Sequence, residues 1–288
     1  MTSGLPIHLH ALLGVSCSIK VVDIGANPID GVAPYAPLLA AGHTRLIGFE
    51  PNWDALEILN QKKGPHETYL PDAVGDGQGH TLRHCQAPGM TSLLEPNPAV
   101  LELFHKFSEW GSVLWTEEVD TVRLDDVKET AGMDYLKIDI QGAELMVFEN
   151  ALERLASALL IHTEVEFLPM YVGQPLFSDV DQFLRRHGFV LHRFVPLTSR
   201  VIKPLLLDND PYKGLSQVVW ADAVFVRDFI DLAPLGADQL LKLAIILHDC
   251  YRSLDLVLHL LTEYDRRSNT CYGAVYLNAI SGASVPMK

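Results

Sequence analysis

The four cysteines, Cys17, Cys85, Cys250 and Cys271, are scattered, and no Cys-x-x-Cys pair occurs. The chain therefore carries neither a thiolate metal motif nor a dithiol redox motif, and free thiols in a reducing compartment are expected. Long apolar runs are also missing. The longest in the tail, Leu243 to Leu247, is far short of the roughly 20 residues a membrane helix needs. Positive charge is scarce, with 22 Lys and Arg against 36 Asp and Glu, a net charge of −14. No basic cluster offsets that balance, which argues against a binder of nucleic-acid backbones. The first Lys or Arg is Lys20, so the charged start of a secretory signal is absent. A soluble cytoplasmic protein is expected, with no membrane or nucleic-acid partner. Internal repeats and low-complexity segments are lacking, and so is the Gly-x-Gly-x-x-Gly fingerprint of dinucleotide sites.

What is present starts with Val21-Val22-Asp23-Ile24-Gly25-Ala26-Asn27, a buried-strand pattern that runs into a tight, acidic turn. A second apolar run, Leu46-Ile47-Gly48-Phe49, ends in Glu50-Pro51, and Glu50 follows Asp23 by 27 residues. An acid at the tip of the second strand of an α/β sheet is an acceptor for a ribose diol. A carboxylate in the first turn would repel a pyrophosphate and suits a cationic ligand. S-adenosylmethionine carries an ammonium, a sulfonium and a ribose, so Asp23 near the methionine part and Glu50 on the ribose would match it. Asp23 could instead cap the following helix, since Asp is a preferred cap. The pairing with Glu50 favours the ligand.

At 288 residues and 48% hydrophobic composition, the chain suits one large α/β domain with or without an appendage. The pattern predicts strands at 20–24, 45–49, 68–74, 80–86, 119–124, 135–140, 158–167, 189–195 and 218–228. Helices are predicted at 33–41, 53–63 (capped by Asn52), 142–155 and 177–187. Residues 1–18 read as an amphipathic lead-in with His8 and His10 on the surface. Residues 87–118 read as a partly helical insertion, and 237–248 with 254–265 as a helical hairpin. Alternating strands and helices predict a mostly parallel sheet with helices on both faces, and the last two strands an antiparallel edge. The expected division is a lead-in (1–19), a cofactor-binding domain (20–230) and a helical C-terminal extension (231–288), through which a homo-oligomer could form.

Several pieces in order resemble the FkbM-type methyltransferases: Asp23-Ile24-Gly25-Ala26-Asn27, Phe49-Glu50-Pro51, Ala73-Val74-Gly75-Asp76, Thr121-Val122-Arg123-Leu124-Asp125 and Leu136 to Glu144. His162-Thr163-Glu164 and Pro169-Met170-Tyr171 continue the likeness, which spans about Lys20 to Val226. The resemblance implies a class I, Rossmann-like α/β fold with a seven-stranded sheet and one antiparallel strand. It also implies S-adenosyl-L-methionine as cofactor and methyl transfer, usually to oxygen, on a sugar or secondary-metabolite hydroxyl. The family usually has Glu where this chain has Gln141. The first turn is also read as longer here, with Pro28-Ile29-Asp30 before Gly31.

Cofactor contacts are expected from Asp23, Gly25, Asn27, Glu50, Asp72 and Ala73. An alcohol acceptor needs a base within hydrogen-bond reach, and Asp139, Glu164 and His162 are the candidates. Asp139 could instead pair with Lys137, because a lysine inside a central strand is costly unless paired. His162, Glu164 and Glu166 share one strand face by period two, which implies a wet crevice or a paired network. Alternatively, Glu166 lies beyond the strand in solvent and His162 is a bonded core residue. Glu144 suits the positive end of a helix. Thr91 and Ser92 lie in the insertion expected to cover the site. Asp139 with Glu164 could hold Mg²⁺, but nothing in the spacing requires it, so no metal is expected. The alternatives are an NAD-dependent oxidoreductase and a non-catalytic binding module whose leucine-rich tail meets a partner.

Overall fold

The computed structural model describes residues 8–27 and 31–282. The predicted longer turn at Pro28-Ile29-Asp30 lies outside them. Seven strands form the main sheet: β1 (Ile19–Ile24), β2 (Thr44–Phe49), β3 (Glu67–Leu70), β7 (Tyr135–Ile138), β8 (Leu160–Glu166), β9 (Phe189–Arg200) and β10 (Gln217–Arg227). Their order is β3-β2-β1-β7-β8-β10-β9. All run parallel except β10, which is antiparallel to both β8 and β9. This is the sheet of a class I methyltransferase. A second sheet has the order β4-β6-β5, from β4 (Ala73–Val74), β5 (Gly79–Cys85) and β6 (Val113–Val122).

The central strands are nearly continuous apolar runs because helices cover both faces. On one face, Val22, Ile24, Leu136, Ile138, Ile161 and Val165 share a core with α6 (Glu144–Glu149), α7 (Leu152–Ser157) and α8 (Phe177–Arg186). On the other, Val21, Leu46, Tyr135 and Leu160 meet α1 (Leu9–Leu13), α2 (Ala36–Ala40), α9 (Ala237–Ile246), α10 (Leu254–Ser268) and α11 (Tyr272–Gly282). The C-terminal helices therefore share the sheet's own core. A third cluster, with Cys85, Met90, Leu101, Phe104, Phe107 and Tyr171, lies beneath the insertion. The insertion carries the short helices α4 (Pro98–Leu101) and α5 (Phe107–Trp110). Asn52 caps α3 (Trp53–Lys62) as predicted, its side chain accepting from the Ala55 N–H at 3.0 Å.

Several expectations need correction. The strand read at 68–74 breaks at Pro71-Asp72, and its halves join different sheets. Proline has no N–H to give a ladder, so the break falls there. The single helix read at 142–155 is two helices with Asn150 and Ala151 between them. The predicted C-terminal hairpin is three helices, with a π-helical turn at Leu247–Tyr251. His8 and His10 are half-buried rather than on the surface. Glu166 lies within β8 and is buried, not beyond the strand.

Candidate active site

The chain leaves β1 towards β2 on one side, while β7 lies on the other. Ligands of open α/β sheets sit at such a switch point, outside the carboxyl ends of the strands. The register levels three strand tips here: Ile24 pairs with Phe49 on one side and with Ile138 on the other. The next residues are Gly25, Glu50 and Asp139. A cleft of about 830 Å³ opens over them. That volume falls within the roughly 300–1,000 Å³ of small-molecule sites.

The turn after β1 is tied down by its backbone. Gly25 N–H and Ala26 N–H both donate to the Phe49 carbonyl, at 3.1 and 3.0 Å. Gly25 has φ +79°, and a Cβ there would run into the Asp139 carbonyl oxygen. Only glycine satisfies both conditions. Glu50 is buried at the cleft wall, and its Oε1 accepts from Asn52 N–H at 2.8 Å. Burial raises its pKa, opposed by that hydrogen bond. Gly25, Asn27, Glu50, Asp72, Ala73 and Asp139 all line the cleft.

Asp23, Glu164 and His162 are not among the lining residues. The register sets Asp23, Lys137 and His162 side by side on β1, β7 and β8. They face the layer of C-terminal helices. The Asp23 carboxylate accepts from Tyr35 Oη at 2.5 Å and lies 3.4 Å from Lys137 Nζ, which donates to the Gly25 carbonyl at 3.0 Å. Burial raises the Asp23 pKa, with Lys137 opposing it. The partner carboxylate expected for Lys137 is thus found on the neighbouring strand. His162 is 6% exposed, and its Nδ1 lies 2.9 Å from Tyr251 Oη. Tyr251 Oη is in turn 2.5 Å from Tyr135 Oη.

Gln141 joins Asp139 to Glu164. Its Nε2 donates to Asp139 Oδ1 and Glu164 Oε2, both at 2.8 Å, while its Oε1 accepts from Tyr171 Oη at 3.3 Å. Only an amide can donate to both acids and accept from the phenol. Gln141 has φ +57°, an uncommon conformation for a non-glycine residue, and its carbonyl accepts from Ser92 Oγ at 2.7 Å. Burial, then the charge of Asp139, pushes Glu164 well above the usual carboxylate range. Glu166 is pushed up likewise, by burial and then by Glu144. Glu144 opens α6, is pushed up to about 7 mainly by burial, and accepts from the N–H groups of Ile140 and Gly142. The polar face of β8 is thus a paired network.

Gln141→Glu would put a third acid between two others and remove both amide donors. The expected cost is about 1–3 kcal/mol of unfolding free energy, read by denaturant unfolding. Unchanged stability would mean that the amide bridge contributes nothing.

The insertion supplies one wall of the cleft, including Thr91 and Ser92. Its exposed rim carries Trp115 and Leu114, and α3 contributes the exposed Trp53 to the same cleft. The His84 and Trp115 rings stack at 3.6 Å, 8° from parallel, and His84 Nε2 lies 2.8 Å from Glu117 Oε1. Sequence reasoning missed Trp53, His84 and Trp115. His84 and Trp115 meet only through the β5–β6 register, which leaves no local signal in the sequence.

The profile of the Methyltransferase FkbM domain matches residues 23–191. The chain belongs to the FkbM methyltransferase family. A curated relative, 2-O-methyltransferase NoeI of Sinorhizobium fredii (strain NBRC 101917 / NGR234), is 28% identical over 190 residues. That alignment covers 62% of this chain and 77% of NoeI. Among solved structures, precorrin-6y C5,15-methyltransferase from Geobacter metallireducens GS-15 has a TM-score of 0.37 at 13% identity, covering 76% of this chain and 86% of that one. A 16S rRNA (adenine(1408)-N(1))-methyltransferase from Catenulisporales acidiphilia has a TM-score of 0.37 at 12% identity, covering 77% and 92%.

S-adenosylmethionine is the cofactor of this FkbM protein. Among the described residues lining the cleft, Glu50, Asp54, Asp72, Glu117, Asp120 and Asp139 are carboxylates, and none is Lys or Arg. That set suits a cationic donor. Among the described residues, no helix is long and apolar enough to cross a membrane.

Proposed function

We propose that this methyltransferase acts on a hydroxyl of a small molecule, with a sugar as the foremost acceptor. The observation that carries this reading is the cleft's lining of six carboxylates without Lys or Arg. It favours a cationic donor and an uncharged acceptor over a phosphorylated one. The flat aromatic face of Trp115, 52% exposed and backed by His84, offers a surface for the apolar face of a sugar ring. The 2-O-methyltransferase named among the relatives supports transfer to oxygen.

When bound, S-adenosylmethionine supplies a methyl group activated by its sulfonium. Glu50 would hold the ribose hydroxyls. Gly25 and Asn27 would let the backbone approach it closely, and Asp72 and Ala73 would border its nucleoside end. Asp139 would accept the proton of the acceptor's hydroxyl as that oxygen takes the methyl group, the methyl's bond to the sulfonium breaking to leave S-adenosylhomocysteine. Gln141 holds the Asp139 carboxylate in place, with Glu164 behind it. His162 and Asp23 lie beneath the cleft as positioning residues: His162 bonds Tyr251 of the C-terminal layer, and Asp23 bonds Tyr35 and pairs with Lys137.

Two measurements test the reading. Incubation with deuteromethyl-labelled S-adenosylmethionine and a panel of p-nitrophenyl glycosides should give an alkali-stable methyl ether by mass spectrometry. Methylation of amine or carboxyl acceptors alone would overturn transfer to a hydroxyl. Glu50→Gln should weaken S-adenosylhomocysteine binding about 10- to 100-fold by calorimetry, the loss of a charge-assisted hydrogen bond of about 1.5–3 kcal/mol. An affinity within twofold of the native protein would remove Glu50 from the ribose.

A further inference from the structure

Far from the cleft, three potential metal ligands meet where α1 rests on the C-terminal helices. His8 Nδ1 lies 3.1 Å from Asp249 Oδ2. The ligand atoms of His8, His10 and Asp249 all lie within 4.8 Å of one another. Asp249 stands on the π-helical turn Leu247–Tyr251, and its side chain is fully enclosed. Such turns recur at functional positions in helices. The other Asp249 oxygen accepts from Leu9 N–H at 2.9 Å, so the carboxylate is fixed. The His10 ring packs edge-on against His43, with centroids 4.7 Å apart, and lies 5.5 Å from the ring of His8.

A neutral imidazole keeps a lone pair for a cation. Zinc bonds of about 2.0–2.1 Å in a tetrahedron give ligand separations of roughly 3.3 Å. The His8–Asp249 separation already matches such an edge, and rotation of the half-buried His10 ring brings the third ligand in.

We propose that His8, His10 and Asp249 form a binding site for a borderline divalent cation of the zinc type, with water or His43 completing the coordination. Two imidazoles and one carboxylate select this class over magnesium or calcium, which prefer oxygen alone. The ion would join α1 to the helical layer across 240 residues of chain. This site is independent of the methyl-transfer chemistry.

The test uses tag-free protein, stripped with EDTA and dialysed against ZnCl₂, with the bound metal counted by atomic emission. One equivalent per chain and a Tm raised by several degrees are expected, with MgCl₂ giving neither. His10→Ala, at a half-buried position, should lower zinc affinity by more than about tenfold. The His8→Ala/His10→Ala double variant should lose the site. S-adenosylhomocysteine binding by the same variants checks that they are folded. The proposal is overturned if the native chain takes up no more zinc than the double variant. It is also overturned if His10→Ala binds zinc as well as native, or if MgCl₂ raises Tm equally. Those results would leave His8–Asp249 as a hydrogen bond alone.

Discussion

Gly25→Ala should unfold much of the methyl-donor site and abolish S-adenosylhomocysteine binding. The residue sits at φ +79°, where an added Cβ costs about 1–2 kcal/mol. That Cβ would also be driven into the Asp139 carbonyl. This oxygen has little freedom to retreat, because Asp139 N–H donates to the Ile24 carbonyl at 3.1 Å and so ties β7 to β1. Nor can the turn move away, since Gly25 and Ala26 both donate to Phe49. Overpacking of a rigid site adds about 1–3 kcal/mol. The sum is a large part of the roughly 5–15 kcal/mol that holds a domain together. Thermal unfolding should show Tm lowered by about 6–15 °C, and S-adenosylhomocysteine should no longer raise it. A variant with native Tm and native affinity would mean that the turn is not packed against β7 as described.

The second large effect is expected at Asp139. The Asp139→Asn variant keeps the shape of the side chain and an oxygen for the Gln141 amide, but it cannot take a proton. Loss of a general base lowers kcat by about 10²- to 10⁴-fold. Affinity for S-adenosylhomocysteine should stay within a few-fold, because the residue is placed beside the acceptor. Initial rates with the best glycoside from the panel, together with calorimetry, separate the two quantities. An unchanged kcat would remove Asp139 as the base. Equal losses of binding and rate would make it a cofactor ligand instead.

The parts of this architecture legible in the sequence are those fixed over short distances. The run Val21 to Ile24 and the run Leu46 to Phe49 are buried on both faces, so their composition alone marks them as strands, and the residues that end them mark the cleft. Period two correctly placed His162, Glu164 and Glu166 on one face of β8. It could not say what covers that face. The partner of His162 is Tyr251, 89 residues further on, and Tyr35 for Asp23 is likewise set by tertiary packing. The pairing of His8 with Asp249 spans 241 residues and has no local signature. Strand register, invisible in one sequence, gave Lys137 to Asp23. The Gln141 bridge was hidden for another reason: its role depends on a left-handed backbone that brings its amide between two acids.

The order of synthesis bears on the shared core beneath the sheet. β1 leaves the ribosome well before Leu240, Leu243, Val257, Leu260 and Tyr276, which close over its side of the sheet. Until they emerge, a broad oily surface stays open to water, and such nascent intermediates are prone to clump. The fold can therefore close only after the segment through Tyr276 is made, and a chaperone that shields apolar surface should raise its yield more than it would for a protein built from consecutive, self-sufficient units.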